Sequence, residues 1–238
     1  MTRRRALSYI GACTLLTACP HPPAPLVPMP LAPGSRDAAV AWTRSTLPRA
    51  PMLIRFRWHY QDERVKYAGR GTIRIAPPDS LRFDFAGPLN LGSGAAVIIG
   101  DSVAWADPEK NFRALVPAVP MLWAAFTLVR PPAEAAAVFG AEVLDSLSHK
   151  RRVVWRFAQV EDTLDYVVTD SAGRESLLEA EWRRRGTLVA RSRARRDSLQ
   201  HPASARIDFP EGPARFELTV DVVDTAAVIP PDAWRSRH

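Results

Sequence analysis

From about residue 53 the chain alternates apolar and polar positions, the period of two that marks half-buried strands. Ile54, Phe56, Trp58 and Tyr60 alternate with Leu53, Arg55, Arg57 and His59. Over 65–76, Val65, Tyr67, Gly69, Gly71, Ile73 and Ile75 share one face, with Lys66, Arg70, Thr72 and Arg74 on the other. Leu81, Phe83 and Phe85 follow, then short strands over 95–99 and 103–106, with turns at 76–79, 87–88 and 100–101. The same rhythm returns after residue 150. Val153, Trp155 and Phe157 form one face, then Leu164, Tyr166 and Val168, then Leu178, Ala180 and Trp182, with further strands over 187–196, 204–209 and 214–223.

Two stretches break this period. Ser35 is placed to cap a first helix over 36–47, ended by Pro48. Residues 120–129, PMLWAAFTLV, are apolar nearly all round, and Pro131-Pro132 leads into a short helix over 133–139 closed by Gly140. Helices with so little polar face belong on or inside the apolar side of a sheet. The pattern therefore predicts a mainly β, α+β domain: about ten antiparallel strands in a sheet curled on itself, with short helices over its apolar face.

The N-terminus reads differently. Arg3, Arg4 and Arg5 precede a mostly apolar stretch to Leu16, too short to span a bilayer but suited to a signal-peptide core. It closes on Leu16-Thr17-Ala18-Cys19, which resembles the lipobox of bacterial lipoprotein signal peptides. By that resemblance residues 1–18 are removed and Cys19 carries a covalent lipid, the one attached group expected; no cofactor or metal is. Residues 19–35 hold seven of the 22 prolines and no charged side chain, and are expected to form an extended tether. Residues 36–238 then make a single domain. Pro20 is not the aspartate that retains lipoproteins at the inner membrane of enterobacteria, so by analogy the outer membrane is the expected address.

Composition changes this picture little. Hydrophobic residues at 47% and charged residues at 24% exclude a disordered chain or a multi-span membrane protein. The formal charge of +7 would suggest nucleic acid. Residues 1–18 contain three arginines and no acid, so the mature chain is only +4, and an exported protein has no nucleic-acid partner. The basic run from Arg183 to Arg196 puts Arg191, Arg193 and Arg195 on one strand face, either a solvated outer face or a contact for anionic lipid headgroups. His59, His149 and His201 lack metal-ligand spacing, Ser93 is not in a nucleophile elbow, and the glycines fit no nucleotide fingerprint. No catalytic constellation is offered, and the chain reads as a non-enzyme.

The inward positions are rich in rings. Phe56, Trp58, Tyr67, Phe83, Phe85, Trp155 and Phe157, with Trp123 from the apolar helix, either pack a core or line a cavity for acyl chains. The order of lipobox, spacer, helix, strands, apolar helices and strands resembles the LolA/LolB superfamily of lipoprotein carriers and receptors. The most similar stretch is Ser80-Leu81-Arg82-Phe83-Asp84-Phe85-Ala86-Gly87-Pro88-Leu89-Asn90-Leu91-Gly92, which resembles a LolB strand leading into a protruding loop, with Asn90-Leu91 inserted before the glycine. The resemblance implies a half-open barrel that binds lipid or the acyl chains of lipidated proteins. It also implies a membrane-inserting tip at Leu89, with Leu91 as a second apolar tip. The expected protein is a monomer beside a lipid surface; the alternative is a non-catalytic interaction lipoprotein with a fully packed core.

Overall fold

The computed structural model describes residues 23–87, 93–110, 118–132, 135–145, 150–171 and 176–235. Thirteen strands form one antiparallel sheet, curled but unclosed. They are β1 (Ala32–Pro33), β2 (Met52–Gln61), β3 (Lys66–Ala76), β4 (Ser80–Ala86), β5 (Gly94–Ile99), β6 (Ser102–Asp107), β7 (Ala137–Asp145), β8 (Lys150–Ala158), β9 (Asp162–Ser171), β10 (Ser176–Arg184), β11 (Thr187–Arg196), β12 (Pro202–Phe209) and β13 (Ala214–Asp224). The spatial order is β1-β7-β8-β9-β10-β11-β12-β13-β2-β3-β4-β5-β6. Helix α1 (Arg36–Ser45) is capped by Ser35, whose hydroxyl accepts from the Ala38 N–H. Helix α2 (Val119–Ala125) lies in the connection between β6 and β7.

This order dictates the interior. Strands β2–β6 form one meander and β7–β13 another, joined where β13 pairs with β2. The free edges are thus β6 and β1, and the chain must travel from β6 to the opposite side of the sheet to begin β7. It carries α2 across the concave face on the way. Because α2 is apolar all round, burial there is its stable position: Met121, Leu122, Trp123 and Ala124 are fully buried, and Phe126 and Val129 follow them.

Large rings fit beneath the helix because glycine sits opposite them. Phe56 pairs with Gly71, Trp58 with Gly69, Phe85 with Gly94 and Trp155 with Gly140. A Cβ on Gly71 would stand 2.2 Å from Phe56 Cζ, so the ring lies directly over the partner backbone. The rings then spread along the sheet rather than standing up from it.

Two sequence expectations need correction. Of the helix expected over 133–139, residues 137–139 instead begin β7 and residues 135–136 lead into it without helix, with residues 133–134 outside the described part. Alanine's helical preference is overridden because Ala137–Asp145 finds a full ladder against β8, and Gly140 packs under Trp155 instead of ending a helix. Together with β1, this strand raises the expected ten or so to thirteen.

The second correction concerns the tether. Residues 23–33 do not hang free but cross the outer face of β8–β11 as a strap. Prolines remove N–H donors and leave carbonyls, and the outer face supplies arginines to meet them. Arg183 donates to Pro23 O (3.1 Å), Arg191 to Ala24 O (2.7 Å) and Arg156 to Val27 O (3.3 Å). The Leu26 N–H donates to Glu181 Oε2 (3.1 Å), and Val27 is buried against Val154 and Val167. Ala32 and Pro33 then pair with β7 and shield its edge. At the other side the C-terminal segment does similar work: Arg82 donates to Ala233 O (2.6 Å) and Trp105 to Trp234 O (3.1 Å).

Glu181 is the hub of the strap, 1% exposed and bound by Arg183 (2.5 Å), Arg191 and Leu26 N–H. Glu181→Ala leaves two partly buried guanidiniums without their anion and is expected to destabilise the domain by about 3 kcal/mol. Denaturant titration checks the magnitude, and hydrogen exchange at the Leu26 amide should rise to show the strap released.

Candidate functional site

The concave face is where the sequence-expected cavity residues meet. Phe56, Trp58, Phe83 and Phe85 form a ring cluster on β2 and β4, with centroids 5.8 Å apart for Phe56–Phe83 and Phe83–Phe85 and 6.2 Å for Trp58–Phe85. Phe126, just past α2, closes on it at 5.5 Å from Phe56. Trp155 and Phe157 on β8 belong to a second cluster: Phe157 lies 6.0 Å from Tyr166, and Trp155 lies 6.0 Å from Trp42 of α1. Trp123 on α2 is fully buried between the two halves.

Tyr67 does not join either group. It occupies the inward phase of β3 but stands at the strand's first turn-proximal positions, opposite Tyr60, and is 50% exposed. Alternation assigns a face; it does not say how far along the strand the core extends. Cys19, Leu89 and Leu91 lie outside the described residues. Trp42 and Phe126 are ring residues of the site that strand alternation does not mark. Trp42 lies on a helix face with few apolar neighbours, and Phe126 joins the site only because the sheet order sends its segment across the interior.

Among the described residues, the helix that fills the face makes a polar side-chain contact through Trp123, and the segment just past its C-terminal end makes three more. Trp123 Nε1 donates to Gly100 O (2.8 Å), Arg196 donates to Thr127 O (2.6 Å), and the Val129 N–H donates to Thr46 Oγ1 (3.0 Å). The Tyr166 hydroxyl donates to Arg130 O (2.9 Å), and burial pushes that phenol far above its ordinary range, so it stays a donor.

Beside α2 the face is not completely filled. A cavity of 210 Å³ lies where Ala118, Val119 and Pro120 roof Phe157, Leu164 and Trp182. This is smaller than the roughly 300 Å³ at which ordinary ligand pockets begin. Several polar groups within the fold also lack partners. Arg130 Nε and Nη2, Trp155 Nε1 and Ser192 Oγ are buried with no hydrogen-bond partner among the described residues. The Arg130 guanidinium lies over the Trp123 ring at 5.3 Å, and its burial lowers its pKa from the ordinary value. The orphaned Arg130 donors beside the Trp123 ring are suited to an oxygen acceptor on an apolar chain.

No protein-family model matches the chain, and no curated protein matches it. Solved structures do. A LolA superfamily protein from Nitrosomonas europaea superposes with a TM-score of 0.54 at 10% identity, covering 85% of this chain and 99% of that one. The chain shares the fold of that protein. An outer membrane lipoprotein-sorting protein domain from Vibrio parahaemolyticus gives 0.54 at 9% identity, covering 82% and 94%. At such identities the likeness establishes the LolA-type curled sheet and says nothing by itself of individual residues.

The basic run takes its place on this LolA-type sheet. Arg183 and Arg191 hold Glu181, Arg193 holds Glu179 (2.8 Å), Arg184 holds Asp162 (3.0 Å) and Arg185 holds Glu161. The pairs of Glu181 and Glu179 lie on the outside of the sheet, where Arg183 and Arg191 also anchor the strap, whereas Arg184 and Asp162 sit beside Trp182 at the edge of the inner face. Among the described residues no group of three or more His, Cys, Asp or Glu could hold a metal ion, and no helix is long and apolar enough to cross a membrane.

Tyr166→Phe tests the grip on the segment after α2. Removing the hydroxyl leaves the Arg130 carbonyl without this donor, with an expected loss of about 1–3 kcal/mol. Thermal denaturation measures the loss, and faster exchange of the 126–130 amides should accompany it.

Proposed function

We propose that the protein is a non-catalytic lipoprotein of the bacterial envelope whose concave face takes acyl chains of lipids or lipidated proteins. The observation that carries this reading is the pairing of an all-apolar helix, held by a handful of hydrogen bonds, with the orphaned donors of Arg130, Trp155 and Ser192. Entry of a chain from the 210 Å³ cavity beside Pro120 would push α2 outward and replace its apolar contacts one for one. Each acyl methylene moved from water into that space gains about 0.8 kcal/mol. The shared fold with a lipoprotein-sorting domain supports the assignment.

The rest of the reading comes from the N-terminus. Cys19 carries the lipid anchor, and the outer membrane is the address. Leu89 and Leu91 are the apolar tips that enter the bilayer during transfer. Ala86 and Gly94, the ends of β4 and β5 that bracket these leucines, lie at the same end of the sheet as Pro23 and the β2–β3 turn. The partners are membrane lipid and lipidated protein, with the chain acting as a monomer.

A second reading is favoured by one observation, the nearly complete filling of the concave face by α2. In that case the core is permanently packed and the protein is an interaction module. Native mass spectrometry of the full-length protein extracted from membranes separates the two. Co-purifying lipid released on activation, together with a diacylglyceryl mass on Cys19, is the expected result; a lipid-free interior would leave only the packed-core reading. Leu89→Glu is expected to slow delivery of a lipidated protein into vesicles without changing thermal stability. Unchanged delivery would remove Leu89 from the mechanism.

A further inference from the structure

A separate cavity of 610 Å³ opens between the C-terminal end of α1, the segment after α2 and the β11–β12 turn. Its charged and titratable lining is one-sided: Arg49, Arg196 and His201 face it, and no carboxylate does. The carboxylates nearby are occupied. Asp197 accepts from the Leu199 and His201 amides (2.9 Å each), and Asp224 accepts from the Ala226 amide (3.0 Å). Asp170 acts on Arg196 without lining the cavity. The end of α1 also presents carbonyls on this side, but Thr46 N and Leu47 N cap those of Thr43 and Arg44 (3.1 Å each).

Arg196 is poorly matched for its depth. Its Nη2 donates to Thr127 O (2.6 Å), a neutral carbonyl that supplies no counter-charge. Burial lowers its pKa, the mark of a cation short of counter-charge. Arg49 is exposed at the rim and has no ion-pair partner among the described residues. The other walls are apolar, with Leu47, Met52, Leu128 and Leu199 among them.

The backbone here is strained as well. Among the described residues three that are not glycine have positive φ, and two of them line this cavity: Thr127 at 62° and Gln200 at 65°. For β-branched Thr127 this is costly, and such strain persists where the surroundings hold a particular shape. Arg196 bonds the carbonyl of that same strained threonine.

We propose that this cavity is a binding site for an anionic amphiphile, with a phosphate or carboxylate head between Arg196 and Arg49 and the start of its chain along the apolar wall. Two arginines lining one cavity that no carboxylate lines select the anion, and the apolar wall selects an attached chain over a free ion. The site shares Phe126, Thr127 and Leu128 with the segment after α2 but is lined by none of the strand rings of the concave face. A protein whose interior never admits a chain would still bind here, and one that fills its interior need not.

Calorimetric titration of the full-length protein with dodecyl phosphate, inorganic phosphate and dodecyl maltoside tests the site, with the amphiphiles kept below their micelle concentrations. Dodecyl phosphate is expected to bind one per chain. Inorganic phosphate should bind at least about tenfold more weakly for lack of the chain, and dodecyl maltoside similarly for lack of the anion. Arg196→Gln should weaken dodecyl phosphate binding about tenfold. Arg49→Ser, at an exposed position with no structural partner, should weaken it severalfold while leaving the melting temperature unchanged, so the test survives a failure of the Arg196 variant to fold. Equal affinity for dodecyl phosphate and dodecyl maltoside would overturn the proposal, as would indifference to Arg49→Ser. Inorganic phosphate binding as tightly as dodecyl phosphate would also overturn it, because the site would then belong to a free anion.

Discussion

The crossing of the concave face by the segment that carries α2 is the constraint on which the other features of the fold depend. An open sheet whose two meanders join through β13 and β2 leaves its free edges at β6 and β1, and the chain must bridge them. It does so with a helix that has no polar face, so the bridge is also the core. The glycine–ring pairs follow from this. Phe56, Trp58, Phe85 and Trp155 lie over Gly71, Gly69, Gly94 and Gly140, which lets large rings share the space under a helix.

The same constraint links stability to function. A helix inserted between two halves of a sheet is held largely by apolar contact, and among the described residues the side-chain hydrogen bonds there come from Trp123 within it and reach Thr127, Val129 and Arg130 just past its C-terminal end. Apolar contacts are non-directional, so an acyl chain can substitute for them at little net cost. Directional contacts are what must be broken for α2 to move, and they are few. On the outside the distribution is reversed. The strap, the ion pairs around Glu181 and the C-terminal segment around Arg82 hold the convex face with many directional bonds.

Much of this was legible in the sequence. The alternation over 53–60 and 214–223 marked β2 and β13, Ser35 marked the start of α1, and the unbroken apolar run after Pro120 marked a helix with nowhere to go but inside. Two things were not. Ala137–Asp145 carries an alanine-rich start that local preference reads as helix, and only the partners β8 and β1 make it a strand. The proline-rich segment at 23–33 has no pairing pattern of its own; its docking depends on Arg156, Arg183 and Arg191, more than 120 residues away in the chain. The same holds for the site: ring positions on strands could be read from alternation, whereas the exposure of Tyr67, the place of Phe126 and the meeting of Arg49 with Arg196 arise from topology alone.

The claim at the centre is that α2 yields its place to an acyl chain. Hydrogen-exchange mass spectrometry of the full-length protein with and without palmitate measures this directly. Stoichiometric palmitate binding should raise exchange in 119–130 while β2, β3 and β4 stay protected. Palmitate bound with α2 as protected as before, or no palmitate bound at all, would contradict it.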